Sequence, residues 1–287
     1  MHKYSFVQKE NKMKKIIALL MAITMVFALC ACGSSKTEAA SDNVIVVGTS
    51  ADYAPFEFMY KDDSGNMVYG GIDVEVAKFV CQDMGKEAQF ENMSFDYLLV
   101  ALQKGDYDFV LAAMEDTEER EASADFSDPY YNDIPALILI KADKADEYKT
   151  LADFDGKTVG AQTATTKADM ITELMPGANQ QLLANVNDLI NELVYDKVDA
   201  VILDGAVALA AIETNSDLAT ADASSELGEA APYCIAVAKG DPKGLLPGIN
   251  AAIAKITAAQ VNEWVEAANA LVDSGAAEEV SADAPEA

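Results

Sequence analysis

The residue type with the clearest chemical implication in this chain is arginine, because Arg120 is the only arginine and lysine carries all the other side-chain positive charge. Lysine and arginine serve about equally well as solubilising surface charge. Only the planar guanidinium, however, can grip a carboxylate or a phosphate with two parallel hydrogen bonds. Arg120 is therefore a candidate anion clamp, and the alternative is a surface ion pair with Glu118 or Glu119.

Polar residues that could contact the same ligand occur at two further places. Thr165 and Thr166 begin a predicted helix, where backbone N–H groups without partners favour an anion. Asp204 comes directly after the apolar strand 200–203, at its carboxyl end. Each position also has a structural interpretation, as the N-cap of the helix that follows.

The histidine and cysteine content argues against several kinds of catalytic and metal site. His2 is the only histidine, so a chain without its N-terminus has none for a Ser/His or Cys/His pair or for a histidine metal site. Cys81 and Cys234 lie far apart and show no C-x-x-C spacing. We therefore expect no metal and no cofactor, and Cys81 and Cys234 form either one disulfide or two buried thiols.

Net charge limits the classes of partner. Of the 287 residues, 51% are hydrophobic, which is enough for real cores, and the formal net charge is −28. Residues 1–31 contain five lysines and one glutamate, a net of +4, which leaves −32 on the remainder. Such a surface repels nucleic acid and anionic lipid headgroups, so we expect neither as a partner.

The N-terminus has the pattern of an export signal. A basic start at Met13 precedes an apolar run over 16–29, which is too short to span a bilayer. The sequence Leu-Cys-Ala-Cys that ends this run resembles a bacterial lipobox. We predict that residues 1–31 are a signal peptide, with Met13 as an alternative start, and that cleavage before Cys32 allows its lipidation with fatty acids such as palmitate. Residues 32–42 then form a flexible tether; a plain signal peptide or a retained anchor is the alternative.

The rest of the chain alternates short apolar strands with amphipathic helices, which indicates an α/β fold. The predicted strand 109–112 brings the segment around Arg120 to its carboxyl end, the edge at which open α/β sheets bind ligands. Residues 274–287 are acidic and rich in alanine and predict a disordered tail.

A set of short motifs occurs along residues 44–272 in a particular order: Gly48-Thr49-x-x-x-Tyr53-x-Pro55-Phe56, Gly71-x-Asp73-Val74, Phe95-Asp96-x-Leu98, Gly105-x-x-Asp108, Thr117-x-x-Arg120, Asp125-Phe126-Ser127-Asp128-Pro129-Tyr130-Tyr131, Asp155-Gly156-Lys157-x-Val159-Gly160, Asp199-Ala200-Val201-Ile202-Leu203-Asp204 and Ile235-Ala236-Val237-x-Lys239-Gly240-Asp241. Their order and spacing together resemble the extracellular solute-binding proteins of family 3, which are the amino-acid receptors of ABC importers.

This resemblance implies a two-lobed α/β fold of the periplasmic-binding-protein type II, with the ligand cleft between the lobes. The chain would cross between lobes twice, near 132–134 and near 233–234. Lobe 1 would comprise 43–132 plus 235–273, and lobe 2 would comprise 133–234.

The resemblance also assigns roles at the site. Arg120 matches the clamp for the ligand carboxylate, completed by the turn at Thr165 and Thr166, and Asp204 matches the acceptor for the ligand ammonium. Core packing is the alternative for several of the remaining matches, which are the two side-chain sandwich positions Tyr53 and Phe95 and the backbone contact positions Ala112, Ala113, Met114 and Glu115.

The sequence departs from the family pattern at several of these positions. Glu115 stands where Ser or Thr is usual; it adds an acceptor for a cation, points away, or signals an unusual ligand. Ser50 stands where relatives that bind basic amino acids often carry an acid, so the resemblance does not imply a lysine or arginine ligand. Ala112 and Ala113 replace hydroxyl or glycine residues, and Ala164 replaces the usual glycine of the threonine turn.

The function implied is an extracytoplasmic, lipid-anchored, monomeric substrate-binding protein. It captures a polar amino acid or small zwitterion by lobe closure and delivers it to an ABC permease with a cytoplasmic ATPase, without catalysis. Two alternatives remain open. One is a dehydratase-like enzyme on the same fold, with Glu115 as its acid, and the other is a sensor that binds the same ligand.

Overall fold

The computed structural model describes residues 43–278. The predicted signal peptide, Cys32 and the tether lie outside these residues. None of the helices within the described part has the length and apolar composition needed to cross a membrane.

Strands and helices alternate along most of the described chain. The strands are β1 (Val44–Thr49), β2 (Asp52–Tyr53), β3 (Glu57–Lys61), β4 (Met67–Gly70), β5 (Glu87–Asn92), β6 (Phe109–Val110), β7 (Ala124–Phe126), β8 (Leu137–Lys141), β9 (Thr158–Gln162), β10 (Asn179–Leu183), β11 (Ala200–Leu203), β12 (Leu218–Thr220), β13 (Ala236–Ala238) and β14 (Ala277–Glu278). The α-helices are α1 (Ile72–Asp83), α2 (Phe95–Lys104), α3 (Glu118–Glu121), α4 (Thr166–Leu174), α5 (Val186–Val194), α6 (Gly205–Thr214), α7 (Leu246–Ile253) and α8 (Ala258–Asp273).

Two five-stranded sheets form the two lobes, and they have the same plan. The first has the order β5-β1-β6-β13-β7 and the second the order β10-β9-β11-β8-β12. In each sheet the first three strands run parallel and the fourth is antiparallel to both of its neighbours. The two-lobed α/β architecture predicted from the sequence is the one observed.

The chain passes between the sheets at two adjacent places. It leaves the first sheet after β7 and enters the second at β8, and it returns between β12 and β13. Tyr131 and Tyr233, one on each crossing segment, pair as an antiparallel bridge. Their rings stack with centroids 6.0 Å apart. This division of the strands supports the lobe boundaries drawn from the sequence, which remain a proposal.

Apolar packing follows the two sheets. One buried cluster is confined to the first lobe and contains Leu98, Leu102 and Met114. A second is confined to the second lobe, around Ile138 and Phe154. The third cluster is continuous between the lobes, because aromatic residues of the first lobe and the crossing segments pack in the same cluster as aliphatic residues of β11 and α5. The lobes therefore share an apolar contact beside the crossings.

The C-terminal end of the described chain adds a strand to the first lobe. Ala277 and Glu278 pair antiparallel with Tyr60 and Met59 of β3. Residues 277 and 278, which the sequence analysis placed in a disordered tail, are therefore paired as a strand, and the prediction for 279–287 lies outside the described residues. The composition of 274–287 did not reveal this because an edge strand can accept another strand through backbone groups alone, whatever its side chains.

Candidate functional site

The polar residues singled out in the sequence converge in the cleft between the two sheets. They follow the carboxyl ends of β1 and β6 in the first lobe and of β9 and β11 in the second. This is the edge at which open α/β sheets bind ligands. One cavity is lined from both lobes by Ser50, Asp52, Tyr53, Glu57, Phe95, Ala112, Ala113, Glu115, Arg120, Gln162, Thr165, Lys167 and Asp204.

Arg120 connects the two lobes at one wall of this cavity. Its short helix α3 is capped by Thr117, whose hydroxyl accepts a hydrogen bond from the Arg120 N–H at 3.2 Å. The guanidinium donates to the carbonyl of Glu115 in lobe 1 at 2.8 Å and to that of Ala164 in lobe 2 at 3.1 Å. Its central carbon lies 5.4 Å from the centre of the Phe95 ring. The arginine is thus fixed in position rather than exposed beside Glu118 and Glu119.

A buried network of charged groups occupies the middle of the cavity. The Lys167 ammonium donates to Glu115 Oε1 at 2.9 Å and pairs with Asp204. The Thr166 hydroxyl donates to Glu115 Oε2 at 2.5 Å, and Arg120 lies 3.9 Å from that oxygen. Glu115, Lys167 and Asp204 are only 6%, 5% and 7% exposed. Lobe 1 contributes Glu115 and lobe 2 contributes Lys167, so the network joins the lobes.

Asp204 points into the cavity rather than capping its helix. It occupies the N-cap position of α6, but its side chain makes no cap hydrogen bond. Its Oδ2 instead accepts a hydrogen bond from the Tyr53 hydroxyl at 2.6 Å, across the cleft. Thr165 does cap its helix, accepting from the Ala168 N–H at 3.3 Å, while also lining the cavity.

The electrostatics of the network favour its charged forms. Burial acts to raise the pKa of Glu115, but the charge of Lys167 and the hydrogen bond from Thr166 outweigh it, and the net pKa is lowered. Burial likewise acts to lower the pKa of Lys167, and the carboxylates of Asp204 and Glu115 reverse this and raise it. Glu115 is therefore ionised at neutral pH, and so is Lys167.

Three more carboxyl groups lie at or behind the cavity wall, and none of them pairs with a cation among the described residues. The Asp52 side chain accepts hydrogen bonds from the Ser50 hydroxyl at 3.0 Å and from the Val186 N–H of lobe 2 at 2.8 Å. Burial raises its pKa to about 6. Glu57 is 1% exposed and its Oε2 accepts no hydrogen bond within the described chain. Burial, followed by the charges of Asp73 and Asp52, raises the pKa of Glu57 well above its ordinary value.

Asp73 is the deepest of the three and does not line the cavity. Its Oδ2 accepts hydrogen bonds from the Ala113 N–H at 2.7 Å and the Tyr130 hydroxyl at 2.8 Å. Its other oxygen accepts none from the described residues, and burial raises its pKa to about 7. A positive charge brought into this region would therefore find unsatisfied carboxylate oxygens.

Two alanines of the site adopt left-handed backbone conformations. Ala113 has φ 44° and Ala164 has φ 61°. Glycine adopts this conformation without steric cost, whereas alanine is strained there. The sequence showed Ala164 in place of a family glycine, and the structure shows that the backbone conformation typical of glycine is kept.

Most of the predicted site residues are brought together, with two qualifications. Met114 does not line the cavity; its side chain is buried in the core of lobe 1. Thr166 contacts the cavity through its hydrogen bond to Glu115 rather than as a lining residue.

Four residues that line the cavity escaped the sequence analysis, Lys167, Asp52, Glu57 and Gln162. Lys167, one residue after the threonine turn, looked like an ordinary helix lysine. Asp52 and Glu57 lie in the short strands β2 and β3, next to motif residues that drew attention to their aromatic neighbours. The available signal was the acidic character of a segment that follows a buried strand at its carboxyl end.

Comparisons with known proteins point to one family. The model of the bacterial extracellular solute-binding proteins, family 3, matches residues 45–267. The arginine-binding extracellular protein ArtP of Bacillus subtilis is 38% identical over 209 residues, covering 72% of this chain and 79% of that protein. ABC transporter arginine-binding protein 1 of Escherichia coli is 32% identical over 248 residues, covering 86% and 94%.

A solved structure extends the comparison to the fold. The amino acid ABC transporter substrate-binding protein AbpA of Streptococcus pneumoniae, bound to L-arginine, superposes with a TM-score of 0.76 at 31% identity. The superposition covers 81% of this chain and 97% of that one.

Proposed function

Because this chain belongs to the bacterial extracellular solute-binding proteins of family 3, we propose that it captures a cationic amino acid in the interlobe cleft. It delivers this ligand to the permease of an ABC importer. Its named relatives bind arginine or belong to ABC transporters, which supports arginine as the reference ligand.

The head group of the ligand is held by groups from both lobes. The guanidinium of Arg120 and the N-terminus of α4 at Thr165 and Thr166 hold the ligand carboxylate. Asp204 receives the ligand ammonium, since its carboxylate faces the cavity and leaves α6 uncapped by a side chain. A zwitterion that contacts Arg120 of lobe 1 together with Asp204 and the α4 N-terminus of lobe 2 favours the closed form, because the open form does not bring the two lobes to the ligand at once.

The excess of acidic residues around the cavity is the observation that favours a ligand with a cationic side chain. Four carboxyl groups line the cavity, Asp52, Glu57, Glu115 and Asp204, against two cations, Arg120 and Lys167. The two cations pair with Glu115 and Asp204. Asp52 and Glu57 remain for the ligand, and a cationic side chain beside them would favour their charged forms, which burial now disfavours by raising the pKa of both. Ser50 left the side-chain class open in the sequence; Asp52 and Glu57 supply the acid that position 50 lacks.

The aromatic residues support the aliphatic part of the ligand. Tyr53 and Phe95 line the same cavity, and the Tyr53 ring is held by its hydroxyl bond to Asp204. Rings held in this way offer flat apolar area at little entropic cost.

The chain acts outside the cytoplasm as a monomer anchored by a lipid on Cys32. The support is the signal and lipobox pattern of the sequence together with an extracellular solute-binding family. Metabolic labelling with palmitate tests it: wild-type protein takes up the label and Cys32→Ser does not. Equal labelling of the two proteins would exclude an anchor at this residue.

The protein works by binding without turnover. The dehydratase alternative needs Glu115 as a proton donor, but the pKa of Glu115 is lowered and its two oxygens contact Lys167 and Thr166. A carboxylate held ionised in this way is a poor general acid at neutral pH. No observation on the described residues favours a sensor over a transport receptor.

Calorimetric titration of the purified chain with L-arginine and L-citrulline tests the ligand class. Citrulline keeps the head group and the length but replaces the guanidinium by a neutral urea. We expect arginine to bind more tightly by about 1.5–3 kcal/mol, or roughly 10–150-fold, the value of a hydrogen bond to a charged group. Glu57→Gln should reduce this preference, because it removes one acid that faces the cavity.

Glu75→Gln is the matched control, since Glu75 is a half-buried glutamate of the same lobe that pairs with Lys78 away from the cavity. It should leave the preference unchanged. Equal affinity for arginine and citrulline would exclude the cationic side chain, and failure of every α-amino acid to bind would overturn the proposed function.

A further inference from the structure

Two side chains of the protein itself contact the groups that are proposed to bind the ligand head group. The Glu115 carboxylate accepts the hydrogen bond of Thr166 and lies 3.9 Å from the Arg120 guanidinium. These are two of the groups assigned above to the ligand carboxylate. The Lys167 ammonium pairs with Asp204, which is the group assigned to the ligand ammonium.

We propose that Glu115 and Lys167 form an internal substitute for a zwitterionic head group, which closes the cleft in the absence of ligand and which the ligand must displace. This inference rests on the proposed function, because the partners are those proposed for an amino acid.

The space in the cleft supports displacement rather than simultaneous binding. The cavity among these groups has about 10 Å³ of room, enough for about one water molecule. Ligand sites that enclose a small molecule measure roughly 300–1,000 Å³. A neighbouring cavity of about 230 Å³ is lined by Phe95, Arg120 and Thr166 but not by Asp204. A ligand head group that reaches both Arg120 and Asp204 therefore enters only when the Glu115 and Lys167 side chains leave their partners.

Charge pairing among the protein's own groups offsets the cost of closing the cleft. Closure buries Arg120 and Asp204, and an isolated buried charge is strongly unfavourable. In the closed structure every charge of the head-group region has an opposite neighbour: Lys167 lies between Glu115 and Asp204, and Arg120 lies near Glu115. The raised pKa of Lys167 and the lowered pKa of Glu115 agree with this pairing.

The two residues stand together in a way that a ligand contact alone would not require. Glu115 replaces a hydroxyl residue of the family pattern, and a carboxylate beside a ligand carboxylate would be repulsive without a cation. Lys167 supplies that cation from the opposite lobe at 2.9 Å. The pair is electrically neutral and spans the cleft, as a bound zwitterion would.

Competition with an internal group weakens every ligand by the same factor, the fraction of protein that is open. A ligand held only by its head group replaces the internal pair with equivalent contacts, so its net free energy of binding is small. A ligand that also satisfies Asp52 and Glu57 has a further source of affinity. Because of the internal pair, a ligand must therefore obtain more of its binding free energy from its side chain.

The test uses the double variant Glu115→Thr/Lys167→Gln, which removes both charges of the internal pair and keeps Arg120 and Asp204. Small-angle X-ray scattering of the purified chain measures opening without any ligand. We expect wild type to have nearly the same radius of gyration with and without L-arginine. The double variant should be larger without arginine and contract when arginine is added.

Calorimetry on the same proteins measures competition. The double variant should bind L-arginine and L-alanine about tenfold or more tightly than wild type, the factor expected if the open form is one tenth of the ligand-free population. The control carries the same two substitutions on a pair of lobe 1 away from the cavity, Glu75→Thr/Lys78→Gln, whose groups are 2.7 Å apart. It should behave as wild type in both measurements.

An unchanged radius of gyration in the ligand-free double variant would overturn the inference, and so would weaker binding of arginine, which would make Glu115 and Lys167 ligand contacts. If the double variant does not fold, Lys167→Gln alone decides on the same scattering measurement, since it leaves Glu115 and Asp204 to repel each other. If wild type binds no amino acid, the proposed function fails, and the ligand-free scattering still decides this inference.

Discussion

Replacing Arg120 by lysine separates the charge of this residue from its geometry. The guanidinium donates from two different nitrogens to carbonyls of opposite lobes, at 2.8 Å to Glu115 and at 3.1 Å to Ala164, while lying over the Phe95 ring. These contacts hold the plane of the Arg120 guanidinium in one orientation, facing the cavity. A lysine ammonium keeps the positive charge but cannot reproduce the fork.

The magnitude follows from the contacts that are lost. A ligand carboxylate loses one of two charge-assisted hydrogen bonds, worth about 1.5–3 kcal/mol. Loss of the contact with Phe95 adds about 0.5–1 kcal/mol. The competing Glu115 carboxylate, 3.9 Å from the guanidinium, is beyond hydrogen-bond distance, so the loss falls mainly on the ligand. We expect L-arginine to bind Arg120→Lys about 30-fold to several hundred-fold more weakly.

Isothermal titration calorimetry measures this change, with Lys243→Arg as the control for a lysine–arginine exchange at an exposed ion pair with Asp108. Thermal unfolding verifies that each variant is folded. An affinity within about twofold of wild type in a folded Arg120→Lys protein would refute the bidentate clamp, since a single ammonium would then suffice.

Two further predictions concern stability. Ala164→Gly should raise the free energy of unfolding by about 1 kcal/mol, because it relieves a left-handed alanine at φ 61°. The control Ala259→Gly in helix α8 should lower the free energy of unfolding by about 1 kcal/mol. Urea titration measures both, and a destabilised Ala164→Gly protein would contradict backbone strain at this position. Burial raises the pKa of Asp73 from 3.8 to about 7, so its contribution to stability is present below pH 3.8 and is lost as the pH rises through about 7. Between pH 4 and pH 7, the free energy of unfolding of Asp73→Asn should therefore fall by roughly 4 kcal/mol less than that of wild type. Parallel profiles of unfolding free energy against pH for the two proteins would exclude a raised pKa.

The strands that the sequence revealed are the central ones of each sheet. The segment 200–203 is a fully buried apolar run, and the strand predicted there is observed as β11. The strands that were missed, β5, β7, β10 and β12, lie at the sheet edges. An edge strand such as Glu87–Asn92 alternates exposed and half-buried residues and has little apolar signal.

The site was predictable where a residue type was unusual and not where it was common. Arg120 stood out as the only arginine, and Asp204 stood out by its position after a buried strand. Lys167 is one lysine among many, and only the fold shows that its side chain turns into the cleft and is 5% exposed. The state of the cysteines could not be decided from spacing either; Cys81 and Cys234 are both buried free thiols.

The position of β13 in the first sheet determines when that lobe can be completed. β13 lies between β6 and β7, yet Ala236 follows the whole second lobe in the sequence. During synthesis, which starts at the N-terminus, residues 137–220 can form their own sheet before β13 has been made. At that stage the first sheet still lacks its fourth strand. Closing that gap requires a long-range pairing, which is slow compared with local contacts. The first lobe can therefore be completed only after the whole second lobe has been synthesised.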